Sequence, residues 1–205
     1  MKILRRFWVC VSILIFSLTV QAQSLPNESL KEQKVYTSLK EALQNPEQVY
    51  RLKLKLPRKC DSIPEEVFQL TNLQELRLTG CHLNVINRNI GKLKKLRFLH
   101  LNRNNLVRLP EEFTQLTQLV LLDISRNPLM ELPESMGNMR SLEMIDAWDT
   151  HLFILPESIA QLAESLKVID LRQVPLKDSE HVAMQQLLPK TSIPYSYYCD
   201  CNNDR

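Results

Sequence analysis

The residues able to do chemistry in this chain fall into rows rather than clusters. Phe98, Leu121, Met144 and Val168 recur at near-constant intervals, and two residues after each stand His100, Asp123, Asp146 and Asp170. Arg51 and Glu75 extend the first row toward the N-terminus, and Lys53 and Arg77 extend the second. A third row, two residues further on, holds Lys55, Thr79, Asn102, Ser125, Trp148 and Arg172. Carboxylates set side by side repel one another and draw a cation or a basic partner. Apolar residues held side by side on a surface draw the apolar part of a partner. Catalysis has no comparable footing. His82, His100, His151 and His181 are scattered and adjoin no nucleophile. Phosphate-cradling glycine loops, dinucleotide turns, zinc-type cysteine spacings and a serine elbow are all missing from the chain. The chemistry predicted is recognition, with no catalytic residue, metal or cofactor.

Such rows require elements that repeat. From Leu73 the chain aligns with itself every 23 residues, with Leu73, Leu96, Leu119 and Leu142 opening successive units and Leu166 following after one extra residue. Within a unit the apolar residues recur at positions 1, 4, 6, 11, 14, 18 and 21, as in Leu96, Leu99, Leu101, Leu106, Leu109, Phe113 and Leu116. A first unit begins near Val49, and a truncated one runs from Leu166 to about Leu176.

The stretches LRFLHLNRNNL and LVLLDISRNPL, with Asn104 and Asn127 at the asparagine position, resemble the leucine-rich repeat family and its pattern LxxLxLxxN. The second halves, LPEEFTQLTQ and LPESMGNMRS, resemble its 23-residue subtype carrying proline after position 14. The resemblance covers residues 49–176 and extends to exported bacterial members of the family. It implies a right-handed α/β solenoid with a parallel concave sheet, short helical turns on the convex side and caps at both ends. Cys81, Thr150 and Val174 replace the asparagine and Asn87 replaces the proline, so a weaker asparagine ladder is expected toward both ends.

The physical logic of a unit agrees. Positions 4 and 6 lie two apart and point to one face of a short strand, while positions 3, 5 and 7 point to the other. Asparagine at position 9 can satisfy the backbone of the bend with its amide. Pro64, Pro110, Pro133 and Pro156 suit the start of a helical turn. The acidic residues after them, such as Glu65, Glu111 and Glu157, favour its positive end. One unit alone cannot bury its inner face, so neighbours must stack and the ends must be covered. The covers expected are a helix with a Ser38–Glu41 capping box before the first unit, and a helix over KDSEHVAMQQLLPK after the last. That second helix would turn Val182, Met184, Leu187 and Leu188 inward and lead to an extended edge at SIPYSYYCD.

Residues 1–22 read as a secretory signal peptide: Lys2, Arg5 and Arg6 precede a short apolar run that closes at Ala22. Its removal takes three basic residues and no acid, so the formal charge becomes 26 − 3 − 23 = 0. A neutral mature chain gives no electrostatic basis for nucleic-acid binding. The organisation expected is a signal peptide at 1–22, a loose leader and helical cap at 23–48, repeats at 49–176 and a C-terminal cap at 177–205. The chain is expected in the periplasm or outside the cell, with no membrane span after cleavage. Cys60, Cys81, Cys199 and Cys201 then remain, with buried thiols the default for the first two.

The function expected is non-catalytic binding of a protein or peptide on the concave face. Phe98, Leu121, Met144, Val168 and Trp148 would supply apolar contact there. Arg51, Lys53, Arg77, Asp123 and Asp146 would orient the partner by opposite charge at the two ends. The alternative is a structural or assembly protein of the cell envelope, joined through its C-terminal edge or a cysteine.

Overall fold

The computed structural model describes residues 25–196. The leader at 1–22, and Tyr197, Tyr198, Cys199 and Cys201, lie outside the described residues.

Strands of three residues recur once per unit because only positions 3 to 5 are held in extended register. They are β2 (Arg51–Lys53), β3 (Glu75–Arg77), β4 (Phe98–His100), β5 (Leu121–Asp123), β6 (Met144–Asp146) and β7 (Val168–Asp170). With β1 (Val35–Tyr36) ahead of them they form one seven-stranded parallel sheet in sequence order. The central residues Leu52, Leu76, Leu99, Leu122, Ile145 and Ile169 stand in register and are buried.

Each coil returns along the convex side through a 3-10 turn, at Glu65–Gln69, Arg88–Lys92, Glu111–Gln115, Met136–Asn138 and Glu157–Leu162. Pro64, Pro110 and Pro156 sit immediately before these turns rather than within them. The turn residues Val67, Ile90, Phe113, Met136 and Ile159 enter the core. Two turns pass close together at glycines: a Cβ on Gly137 would lie 2.3 Å from the Ser158 carbonyl oxygen.

The bend after each strand is pinned from within. Asn104 donates to the Leu78 and Leu101 carbonyls at 2.8 and 2.7 Å and accepts from the Cys81 and Leu83 N–H groups at 2.9 and 3.1 Å. Asn127 repeats the pattern one coil later. The ladder thins toward the ends as expected: Thr150 reaches only the Ala147 carbonyl of its own coil, and the Cys81 thiol donates to Leu54 O at 3.3 Å. Cys60 and Cys81 are free thiols. The residue before the ladder position is left-handed in every coil from β3 onward, at Gly80, Arg103, Arg126, Asp149 and Gln173. A left-handed non-glycine residue costs about 1–2 kcal/mol, and Arg103, Arg126 and Asp149 each donate a backbone N–H to the next coil from that conformation.

At the C-terminal end α3 (Asp178–Leu187) covers the last coil with Met184, while Leu188 just beyond it is fully buried. Val182 does not turn inward as the pattern predicts and is 53% exposed. Residues 192–195 continue the sheet through parallel bridges from Ser192 to Val168 and from Tyr195 to Leu171. At the N-terminal end α2 (Leu39–Ala42) begins at Ser38, whose hydroxyl accepts from the Glu41 N–H at 3.4 Å. The larger difference lies ahead of it. The expected loose leader is ordered: α1 (Asn27–Glu32) forms, and Leu30 is 2% exposed.

Candidate binding face

The concave face is built by strand register. Arg51, Glu75, Phe98, Leu121, Met144 and Val168 are Cα partners in succession, and so are Lys53, Arg77, His100, Asp123, Asp146 and Asp170. Each row flanks the buried central row, so its side chains point away from the core. Nine of the ten residues singled out in the sequence therefore lie on one surface, with Trp148 in the turn after β6, but they are not equally accessible.

Residues 25–33 form a strap across the first strands. The Leu25 N–H donates to Gln74 Oε1 at 3.0 Å, and Arg97 donates to the Leu25 carbonyl at 2.5 Å. One residue of the strap is thus held by both its backbone groups. Further along, Arg51 donates to the carbonyls of Lys31 and Gln33 at 2.8 and 3.4 Å. The chain then enters β1 beside β2. Beneath α1 a cleft of about 400 Å³ remains, roofed by Asn27, Leu30 and Lys31 and floored by Phe98, His100 and Leu121.

Part of the charge at the basic end of the face is spent internally. Glu75, 6% exposed, pairs with both Arg51 and Arg77. Burial would raise its pKa, but the hydrogen bonds and charges of Arg51 and Arg77 outweigh that and hold it below the usual carboxylate range. Arg51 is therefore engaged by Glu75 and by the strap. Phe98 is half-buried under the strap, with the Arg97 guanidinium 5.5 Å from its ring centre. Lys53 and Arg77 stay exposed at this end.

The acidic end is open. Leu121 and Val168 are half-buried and Met144 is 39% exposed. Trp148 has the Arg126 guanidinium 4.3 Å over its ring, and that cation sits 4.0 Å from Asp149. Asp170 is clasped by Arg172 at 2.6 Å. Burial opposes ionisation of Asp170, but the Arg172 hydrogen bonds win and its pKa is lowered. Asp123 takes the Ser125 hydroxyl at 2.7 Å and lies 3.6 Å from His100 Nδ1. Asp146 receives only the backbone N–H of Trp148, at 3.1 Å. Burial, with the charges of Asp123 and Asp170, raises its pKa above the ordinary value. Among the described residues these carboxylates do not converge into a group able to hold a metal ion. Ser125, expected in the outer row, is buried.

Sequence reasoning missed Gln74, Arg97 and the strap itself. The only signal was a pair of leucines, Leu25 and Leu30, in an otherwise polar stretch.

Comparison with known proteins bears on this architecture. A family model described as leucine-rich repeat region matches residues 76–188, more than half of the chain. A leucine-rich repeat protein of Leptospira interrogans is 30% identical, with a TM-score of 0.62 over 80% of this chain and 48% of its own length. The chain thus spans about half of that protein. An internalin C2 of Listeria monocytogenes shares the fold at 18% identity, with a TM-score of 0.62 over 80% of this chain and 68% of its own. The plant peptide hormone receptor RGFR1, solved in complex with RGF2, is 26% identical, with a TM-score of 0.54 over 71% of this chain and 24% of its own. A comparison with curated proteins returned no match. Among the described residues no helix is long and apolar enough to cross a membrane.

Proposed function

The chain belongs to the leucine-rich repeat family, whose fold serves as a protein-interaction module, and from that premise we propose that it is an exported, non-catalytic binder of a protein or peptide on its concave face. One observation carries the reading. Leu121, Met144 and Val168 stand in register on the outer face of the sheet, where solvent would favour polar side chains, and Met144 is 39% exposed. An apolar row held by backbone hydrogen bonds is preorganised, so little conformational entropy is lost when a partner covers it. The same row gains nothing for a solvated surface. Peptide recognition by RGFR1, in its complex with RGF2, gives a precedent within the repeat architecture. We base export on the leader at 1–22, and with it propose repeats at 49–176 and a C-terminal cap at 177–205.

The experiment uses the mature chain as bait against proteins of its native source, beside a variant carrying Leu121→Asp and Met144→Asp. Partners crosslinked to the wild type and lost from the variant, with circular dichroism unchanged, are the outcome expected. An identical set of partners on both baits sinks the concave-face reading. Mass analysis of the N-terminal peptide of the exported protein tests the leader, with a chain beginning after Ala22 expected.

A further inference from the structure

The strap divides the concave face in two. Over β2 to β4 the strap covers part of the surface: Glu75 pairs with Arg51 and Arg77 and cancels one of their two charges, Arg51 and Arg97 hold the strap's backbone, and Lys53 stays exposed. Over β5 to β7 the floor is open and carries two parallel rows, Leu121–Met144–Val168 and Asp123–Asp146–Asp170. Members of one row are about 4.8 Å apart and the rows about 7 Å apart. One side chain pair of a partner can therefore reach both rows at once.

The charge on this floor is incompletely matched. Asp170 has Arg172, and Asp123 has the Ser125 hydroxyl with His100 nearby. Asp146, between them, meets no cationic side chain within ion-pair distance among the described residues, feels Arg172 only at longer range, and accepts a single backbone N–H. Met144, two residues before it in the same strand, is the most exposed member of the apolar row. Covering this floor with a neutral surface would desolvate Asp146 without replacement, and an acidic surface would add repulsion; both are unfavourable. A second copy docked by two-fold symmetry would set acid against acid, because such a contact presents the same patch from both sides. The strap illustrates that polypeptide fits against this sheet, since Leu30 sinks to 2% exposure beside it.

We propose that the open floor of β5 to β7 takes a segment of a protein partner in which one lysine or arginine stands next to a leucine, methionine or aromatic residue. The cation meets Asp146, and the apolar side chain lies on Met144 and Leu121. This rests on the concave-face reading above and specifies the chemistry of the partner. A partner cation would offset the repulsion of Asp123 and Asp170 on the Asp146 anion and pair with it once it is covered.

The test pans a random phage-displayed dodecapeptide library against the full mature chain at low salt. Selected peptides are expected to carry a basic residue beside an apolar one at several times the library frequency. Synthetic copies should bind at least tenfold more weakly to Asp146→Lys and to Met144→Asp, and equally to Lys92→Glu on an exposed convex turn. Panning against Asp146→Lys should favour acidic peptides instead. Peptides that are not basic, or that bind Asp146→Lys undiminished, overturn the cationic assignment. If those same peptides are still lost on Met144→Asp, the concave-face reading survives. Peptides insensitive to both substitutions overturn both readings. A library that yields no binder overturns the inference that a short cationic segment suffices.

Discussion

Asn127→Ala is the sharpest test of how the concave face is held flat. The Asn127 side chain donates to the carbonyls of Leu101, Ile124 and Ser125 and accepts from the Leu106 N–H. Not all of these groups lose everything when it is removed. The Leu101 carbonyl keeps Asn104, and the Ser125 carbonyl keeps the Arg103 N–H. The Leu106 N–H and the Ile124 carbonyl are left with nothing, inside a site where Asn127 itself is 2% exposed. A buried polar group stranded in this way costs about 1–3 kcal/mol, so two cost about 4 kcal/mol. That is a large share of the roughly 5–15 kcal/mol that holds a domain folded. Thr150→Ala, at the equivalent position one coil on, removes a single bond to the Ala147 carbonyl and should cost only about 1 kcal/mol. Urea titrations followed by circular dichroism measure both, with unchanged slopes expected. A loss below about 1 kcal/mol for Asn127→Ala, or equal losses for the two variants, would show that the bend is held by packing and that the ladder argument is wrong.

Three further outcomes follow from the same geometry. The folded-state pKa of Asp146 lies above its reference value of 3.8, so the stability it contributes is full below that value and is lost as pH rises through the raised one. Asp146→Asn should therefore gain on the wild type as pH climbs from about 4, whereas Glu75→Gln should fall behind it as pH rises to the Glu75 reference value of 4.5 and stay behind above it, because the pKa of Glu75 is lowered. Urea midpoints across pH check both signs. Leu30→Asp removes the apolar anchor of the strap, worth about 2 kcal/mol, so cleavage by trypsin after Lys31 and Lys34 should accelerate about thirtyfold while the repeats remain intact by mass spectrometry. Gly137→Ala places a methyl 2.3 Å from the Ser158 carbonyl oxygen and should cost about 3 kcal/mol, measured by the same urea titration.

The repeat was legible because its signal is periodic and local. The spacing of Leu119, Leu122 and Ile124 sets which side chains face the core, and strand register then aligns the outer rows without further information. The left-handed residues were not legible. Arg103, Arg126 and Gln173 are not types that seek that conformation, and they are held in it by hydrogen bonds from their own N–H groups to the next turn of chain, as from Arg103 to the Ser125 carbonyl. The strap was hidden for a different reason. Its anchoring contacts join residues 49 and 72 positions apart, and its composition is that of a solvated segment.

The strap also changes what the charges on the face mean. From the sequence alone, Arg51, Lys53 and Arg77 make one end basic and the aspartates make the other acidic, which suggests a partner carrying both signs. The structure places Glu75 between Arg51 and Arg77 in the apolar row, where it cancels one positive charge, and it turns Arg51 toward the strap's own carbonyls. Ion pairs satisfied within the chain offer a partner little, because breaking them costs about what a new pair returns. Among the described residues Asp146 is the carboxylate of the open rows without an ion pair, with Arg172 acting on it only at longer range. On the reading proposed above, selectivity on this face would come chiefly from Asp146 and its apolar neighbours.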